Sequence, residues 1–158
     1  MASVGRPCPR CSQPMDPLVL PARLGQTVQV DHCAPCRLVW FDPLESVKLG
    51  GLGWVRLLRD LQRDVPPTAT AAPDRLPCPV CRTPLVEVHN RTRFGRFAAR
   101  ECAHGHGHLH AQAGLLAERG LVRTLLPPER QALREEQRRW ACLSCGAPVD
   151  VDRDACAH

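Results

Sequence analysis

Four pairs of cysteines, each separated by two residues, constrain the fold of this chain more than any other feature. The pairs are Cys8/Cys11, Cys33/Cys36, Cys78/Cys81 and Cys142/Cys145, and the single residues Cys102 and Cys156 bring the total to ten. A C-x-x-C turn directs two thiolates at one ion, and two such turns complete the tetrahedron that zinc prefers. The start of the sequence lacks an apolar signal segment, so we expect an unsecreted, cytoplasmic protein whose cysteines bind metal instead of forming disulfides.

The apolar content is too small for a large hydrophobic core. The 158 residues include three tryptophans, three phenylalanines and no tyrosine. No apolar run approaches the roughly 20 residues that cross a bilayer, so we expect no membrane contact. Short units with so few large side chains usually need a structural metal. The composition therefore predicts a small α+β fold that zinc stabilises.

Two of the cysteine sets predict four-ligand sites of similar spacing. The first is Cys8, Cys11, Cys33 and Cys36, and the second begins with Cys78, Cys81 and Cys102, followed by alternating histidines at 104, 106, 108 and 110. When the two sets are aligned on Cys8 and Cys78, the fourth ligand falls on His106, which Gly105 and Gly107 flank, and His104 is the rival. We expect exposed side chains for His108 and His110. An alternative is a second metal held by His104, His108 and His110.

The third cysteine set lies at the end of the given sequence. Its ligands would be Cys142, Cys145, Cys156 and His158. The fourth ligand is His158, the terminal carboxylate or a water molecule, unless the sequence is a fragment of a longer chain. Three zinc ions would then use twelve ligands. A zinc with four thiolates carries −2 and one with three thiolates and a histidine −1, so the formal charge of +5 falls to about +1.

The spacing predicts tandem zinc ribbons, each a β-hairpin with two cysteine turns, and a short helix after each of the first two. Unit one covers residues 1–65, with hairpin arms near 18–23 and 27–32 and a helix whose N-cap is Asp42. A Pro/Ala linker follows at 66–74. Unit two covers 75–126, with a hairpin near 85–102 and a helix near 113–126. A charged helix at 127–140 precedes a third ribbon at 141–158, which is incomplete if the chain ends there.

One basic segment on the hairpin of unit two predicts contact with nucleic acid. It combines four arginines with two phenylalanines: Arg91, Arg93, Arg96, Arg100, Phe94 and Phe97. Arginines can bind phosphates while aromatic rings stack on bases. A simpler explanation is that the rings pack the hairpin and the arginines face water. The general excess of arginine, 20 of the 21 basic residues, is explained as well by a GC-rich genome.

The motif of unit one resembles the bacterial zinc-ribbon family named after transcription factor IIB. The matching residues are Cys8, Pro9, Cys11, Asp31, Cys33, Cys36, Trp40, Asp42 and Glu45, while Arg37 and Leu38 replace the usual pair of glycines. The likeness covers about residues 6–50, and unit two looks like a degenerate second copy. In the alignment of Cys8 with Cys78, the places of the Trp, Asp and Glu hold His110, Gln112 and Leu115. The resemblance implies a zinc-binding ribbon and, through the family name, transcription.

These features favour a non-catalytic module that binds a protein or nucleic acid over an enzyme. Four-ligand zinc sites leave no open position for a water nucleophile. The sequence also contains no phosphate-binding loop and no Ser/His/Asp arrangement, so we expect no small-molecule substrate. The alternative is a redox-responsive protein that releases zinc when its thiolates are oxidised.

Overall fold

The computed structural model describes residues 5–62, 75–123, 125–136, 140–142 and 147–149. Unit one contributes three strands and two helices: β1 (Asp16–Pro21), β2 (Thr27–Cys33), β3 (Leu38–Phe41), α1 (Glu45–Lys48) and α2 (Gly51–Leu61). Unit two contributes β4 (Val86–Thr92), β5 (Gly95–Glu101), β6 (His108–Ala111) and α3 (Gln112–Glu118). After it come α4 (Pro127–Glu135), β7 (Trp140–Ala141) and β8 (Pro148–Val149). No helix in these ranges is long and apolar enough to cross a membrane.

The two units share one antiparallel sheet of six strands, in the order β1-β2-β3-β6-β5-β4. Its centre is the pairing of β3 with β6, where Trp40 lies opposite Leu109. Trp40 and Leu109 are as far apart in the sequence as Cys33 and Cys102. The two units therefore place equivalent residues opposite each other at this pair, as in a two-fold arrangement. The domain boundaries stay a prediction, and the linker at 66–74 falls outside the described residues. The sheet nevertheless joins strands from both sides of that segment.

The two faces of the sheet bury different layers. Paired residues project to the same face, so Trp40 and Leu109 share one face, while Val39 and His110 share the other. On the first face, these apolar side chains pack with the cysteines of both units in a single cluster. On the second, Val39 and Phe41 pack against the helices, including Trp54 and Leu57 of α2. Metal ligands therefore cover one face and helices the other.

The strand pairing shifts the alignment of the two units by one residue for all positions after the hairpin of unit two, compared with the alignment on Cys8 and Cys78. Trp40 lies opposite Leu109, whereas His110 lies opposite Val39 on the helix side. The position of Trp40 is therefore taken by Leu109 and not by His110, and Gln112 and Leu115 shift in the same way. The physical reason is the hairpin of unit two, which is one residue shorter between Cys81 and Cys102 than its counterpart.

The helices differ from expectation at their ends. Asp42 is not an N-cap, because the residue before α1 is Leu44 and the Asp42 carboxylate accepts hydrogen bonds from Arg6 and Trp40 instead. Helix α2 begins at Gly51 and contains Gly53, where a Cβ would lie 2.1 Å from the carbonyl oxygen of Pro21, so glycine lets the helix approach β1 closely.

The helix expected near 113–126 is the shorter α3, because the backbone turns at Gly120, whose φ is +70°. The charged helix expected over 127–140 ends at Glu135.

Candidate metal centres

The first cysteine turns of the two units have the same backbone geometry. The N–H of Cys8 donates to the carbonyl of Gln13 at 2.8 Å, and that of Cys78 to the carbonyl of Thr83 at 2.8 Å. In each turn a further N–H lies 3.4 Å from the first sulfur, from Arg10 to Cys8 and from Val80 to Cys78. Such N–H donors stabilise thiolate over thiol, which is the form that binds metal.

The site of unit one brings together all four predicted cysteines. The four sulfur atoms, of Cys8, Cys11, Cys33 and Cys36, all lie within 4.8 Å of one another. The sulfurs of Cys11 and Cys33 are 3.7 Å apart. Zn–S bonds of about 2.3 Å in a tetrahedron place sulfurs about 3.8 Å apart, so the spacing fits zinc.

The electrostatics of this group also call for a cation. Hydrogen bonds from the thiols of Cys33 and Cys36 lower the pKa of Cys8 to about 2. Hydrogen bonds with Cys36 and Cys8 in turn raise the pKa of Cys33 far above its usual value. Four sulfurs this close together cannot all lose their protons without a cation between them, because the negative charges repel one another. A divalent cation replaces those protons and lets all four become thiolates.

The site of unit two combines three sulfurs with a histidine. The four donors, from Cys78, Cys81, Cys102 and His106, lie within 4.8 Å of one another. The Nδ1 atom of His106 is 3.4 Å from the sulfur of Cys102. His104 lies at the exposed rim, where its Nδ1 is 3.6 Å from the sulfur of Cys81 and 3.5 Å from Oγ1 of Thr83. The structure thus groups His106 with the three cysteines and places its rival beside them.

A polar network surrounds Trp40 next to the site of unit one. Arg6 makes a bidentate ion pair with Asp42 and lies 3.5 Å from Asp31, while the Trp40 indole donates to Asp42 at 3.0 Å. The backbone N–H of Asp42 donates to Glu45 at 2.8 Å. Partial burial opposes ionisation of Asp42, but the bonds from Arg6 and Trp40 hold its pKa below the usual value. The motif residues Asp31, Trp40, Asp42 and Glu45 are therefore joined with Arg6 in one polar network.

Comparison with protein families identifies this part of the chain. Residues 7–50 match the transcription factor zinc-finger family. The match spans the first metal centre and the network around Trp40, so residues 7–50 are consistent with a zinc ribbon of the transcription factor IIB type. No curated protein and no solved structure matches the chain.

Two features of this zinc ribbon were not evident from its motif. Arg6 precedes the motif, and no spacing in the sequence marks it as the partner of Asp42, 36 residues away. Arg37 occupies a position that is usually glycine, and its φ is +52°. That left-handed conformation explains why glycine is usual there. Arg37 adopts this conformation although its side chain carries a Cβ atom.

The third predicted site is described only in part. The N–H of Cys142 donates to the carbonyl of Ala147 at 2.8 Å, over the same span of sequence as the bonds of Cys8 and Cys78. Strands β7 and β8 pair Ala141 with Pro148. Cys145, Cys156 and His158 lie outside the described residues, so the ligand set of this site stays a prediction.

On the basic hairpin of unit two, the exposed arginines and the ring of Phe97 do not form one surface, because Phe97 packs on the helix side of the sheet. Arg91 and Arg96 lie opposite each other on the strands, with Arg93 in the turn between them, and all three are exposed. Arg100, half-buried, lies 3.4 Å from Glu87. The two rings have other contacts: Phe94 packs on Gly120 beneath the guanidinium of Arg93, and Phe97 stacks on His110 on the helix side.

The histidines of β6 are not the exposed side chains that the sequence predicted. His110 is 5% exposed and His108 is half-buried, because both project toward the helices and pack on Phe41. His104 lies at the rim of the cysteine site instead. The structure therefore does not group the three histidines of the alternative metal site.

Proposed function

We propose that this chain is a non-catalytic zinc-binding module of tandem ribbons that binds nucleic acid through the hairpin of unit two. Two groups of four donors support the non-catalytic assignment, since a closed set of four leaves no position for a reacting water molecule. The zinc ions would stabilise a rigid sheet, and the loops and hairpins on that sheet would make the contacts.

Backbone geometry supports a second and a third ribbon. The first cysteine turns of units one and two make the same hydrogen bond, and Cys142 makes it again. The sheet is symmetric about Trp40 and Leu109, as expected if two similar units face each other. We therefore propose that unit two is a ribbon whose fourth ligand is His106, and that a third ribbon begins at Cys142.

The observation that carries the nucleic-acid proposal is the exposed pair Arg91 and Arg96. They lie directly opposite each other on the hairpin, and within the described ranges no carboxylate forms an ion pair with either. Like charges opposite each other destabilise a strand pair, so the arrangement costs stability unless an anion lies between them. With Arg93 in the adjacent turn, three guanidinium groups form an anion-binding surface beside the half-exposed ring of Phe94.

The test compares binding of the zinc-loaded chain to single- and double-stranded oligonucleotides over a range of salt concentrations. Three phosphate contacts predict a log–log slope of about −2 on single strands, from about −0.7 for each contact. The triple variant R91Q/R93Q/R96Q should abolish this slope without releasing zinc. The control R23Q/R56Q/R59Q removes three exposed charges from unit one and should retain it. If the wild-type chain binds neither oligonucleotide at low salt, the surface does not bind nucleic acid.

A redox-responsive function is a second candidate, and one observation favours it. Cys11 and Cys81 are only half-buried, whereas the other cysteines of both sites are buried. An accessible thiolate is where an oxidant would attack first. Zinc release by sub-millimolar peroxide, followed with a chromogenic chelator, would favour this function. Zinc that stays bound would favour the binding module.

A further inference from the structure

The helix side of β6 carries polar groups where β3 carries an apolar core. Val39 and Phe41 are fully buried, and they lie opposite His110 and His108 on the neighbouring strand. His110 is 5% exposed, and its Nδ1 atom has no hydrogen-bond partner within the described residues. A buried nitrogen without a partner costs free energy, so it needs an explanation.

A carboxylate completes this cluster. Glu118, at the end of α3, places Oε2 3.9 Å from Nδ1 of His110, too far for a hydrogen bond. Its other oxygen, Oε1, accepts from Arg119 at 2.8 Å, so the two oxygens have different roles. Burial raises the pKa of Glu118 and lowers that of His110 to about 3. The imidazole is therefore neutral and retains the lone pair that a metal needs.

The same three places are apolar in unit one. The alignment that places Cys33 on Cys102 relates Val39 to His108, Phe41 to His110 and Leu49 to Glu118, and the three apolar residues are 0–1% exposed. Backbone contacts support the last match. In unit one, Leu49 forms an isolated β-bridge with Ala22. In unit two, the carbonyl of Glu118 accepts a hydrogen bond from the hydroxyl of Thr92. Thr92 corresponds to Ala22 when Cys8 is aligned with Cys78. The alignment on Cys8 and Cys78 is the right one for Thr92, because Thr92 comes before the point in the hairpin where unit two lacks one residue.

A cavity lies beside these groups. Its volume is about 200 Å³, and His108, His110 and Glu118 line it together with Asn90 and Glu101. A water molecule occupies about 30 Å³ in the liquid, so the cavity can hold an ion and several waters. The imidazole rings of His108 and His110 adjoin there, with centroids 5.0 Å apart.

We propose that His108, His110 and Glu118 bind a divalent transition-metal ion, separate from the cysteine sites. Two imidazoles and a carboxylate suit Zn²⁺, Co²⁺ or Ni²⁺, and they do not suit the oxygen-rich sites of Mg²⁺ or Ca²⁺. Metal–ligand bonds of about 2.1 Å place tetrahedral donors about 3.4 Å apart, and the Nδ1 atom of His110 and Oε2 of Glu118, 3.9 Å apart, are close to that spacing. The donors of all three residues do not lie within 4.8 Å of one another, so the His108 side chain must rotate within the cavity that it lines to reach the ion. Three protein ligands leave a position for water, which distinguishes this site from the closed cysteine sites.

The test is a Zn²⁺ titration by calorimetry of the full chain after its cysteine sites have been saturated and loose metal removed. The wild-type chain should take up one more ion than the variant H108V/H110F, which introduces the residues of unit one. E118Q, which retains the shape of the side chain, should weaken this binding by at least about tenfold. H104A is the matched control and should bind as the wild type does. Ions at the third cysteine set are common to all variants and cancel in the comparison.

Co²⁺ added to the zinc-saturated chain provides a second measurement. It should give visible ligand-field bands without the near-ultraviolet charge-transfer bands of a cobalt thiolate, and E118Q should lose those visible bands. If H108V/H110F does not fold, E118Q and H110Q decide the question, with cysteine-bound zinc as the check on folding. The proposal is overturned if E118Q and H110Q bind Zn²⁺ as tightly as the wild type, or if the wild type takes up no additional ion.

Discussion

Units one and two share a metal frame and a sheet but differ in almost every side chain around them. On the metal side, Trp40 of unit one lies opposite Leu109 of unit two, and the carboxylates that bind Arg6 have no counterpart network among the described residues. On the helix side, Val39 and Phe41 lie opposite two histidines. The two units therefore keep the cysteine turns and the strand pairing in common, while the side chains packed on either face of the sheet differ. The family match covers residues 7–50, and the aligned residues of unit two do not repeat the motif around Trp40.

Zinc removal is the strongest way to test whether the frame holds both units. Each structural site contributes on the order of 10 kcal/mol to folding. We expect a chelator to abolish the near-ultraviolet circular dichroism of the chain. Elemental analysis of the purified protein before chelation should give close to three zinc ions at the cysteine sites, or two if the third ribbon is incomplete, and one more if the histidine site retains its ion through purification. A chain that stays folded without any metal would contradict the metal-based comparison of the units.

The fourth ligand of unit two gives the next largest effect. We expect H106A to lower the zinc content by about one ion per chain, because it removes one of four donors. H104A should leave the content unchanged, since His104 lies at the rim of the site. Zinc content of the two variants, measured after gel filtration, decides between them. The reverse pattern would make His104 the ligand and change how unit two corresponds to unit one.

The sequence predicted the metal frame better than the layers around it. Cysteine spacing indicated the seven cysteines that the structure groups in the two units, since a tetrahedral ion restricts which residues can meet. The structure groups His106 with them, but this residue was selected for a wrong reason, because the alignment that selected it is the one that the strand pairing corrects, and the corrected alignment places Gly105 where unit one has Cys36. Cysteine spacing could not show that β3 pairs with β6, because the segment between the units carries no pattern that reports a pairing. The burial of His110 was missed for the same reason, since the partner strand supplies the cover. Arg6 was missed because its partners are distant in the sequence.

Two glycines of the second site sharpen the comparison, because only one of them touches unit one. Gly105 and Gly107 both have positive φ, of +74° and +133°. A Cβ on Gly107 would lie 2.2 Å from the carbonyl oxygen of Phe41 and 2.9 Å from the ring of Trp40. A Cβ on Gly105 would contact nothing within 4 Å.

We therefore expect G107A to lower the free energy of unfolding by about 3 kcal/mol or more, from backbone strain and overpacking. G105A should cost only about 1 kcal/mol, from the left-handed conformation. Denaturant unfolding at saturating zinc measures both values. Equal losses would mean that the loop of unit two does not press on β3, and the junction of the units would then rest on the strand pairing alone.

The smallest effect concerns a contact between the helical parts of the two units. The guanidinium carbon of Arg119 lies 3.5 Å from the ring centroid of Trp54, which is 8% exposed. Arg119 follows α3 of unit two, whereas Trp54 belongs to α2 of unit one, so this cation–π pair connects the units outside the sheet. Partly desolvated pairs of this kind contribute about 1 kcal/mol.

A double-mutant cycle isolates that contribution. R119M removes the charge but retains the length of the side chain, and W54L removes the aromatic face while leaving an apolar residue in the core. We expect a coupling energy of about 0.5–1 kcal/mol between them in unfolding experiments. R91M removes an exposed arginine on the hairpin of unit two and serves as the control, since it should show no coupling with W54L. A coupling energy near zero would mean that Arg119 only covers the indole ring, and that the two units are joined by the β3–β6 pairing and the packing around it.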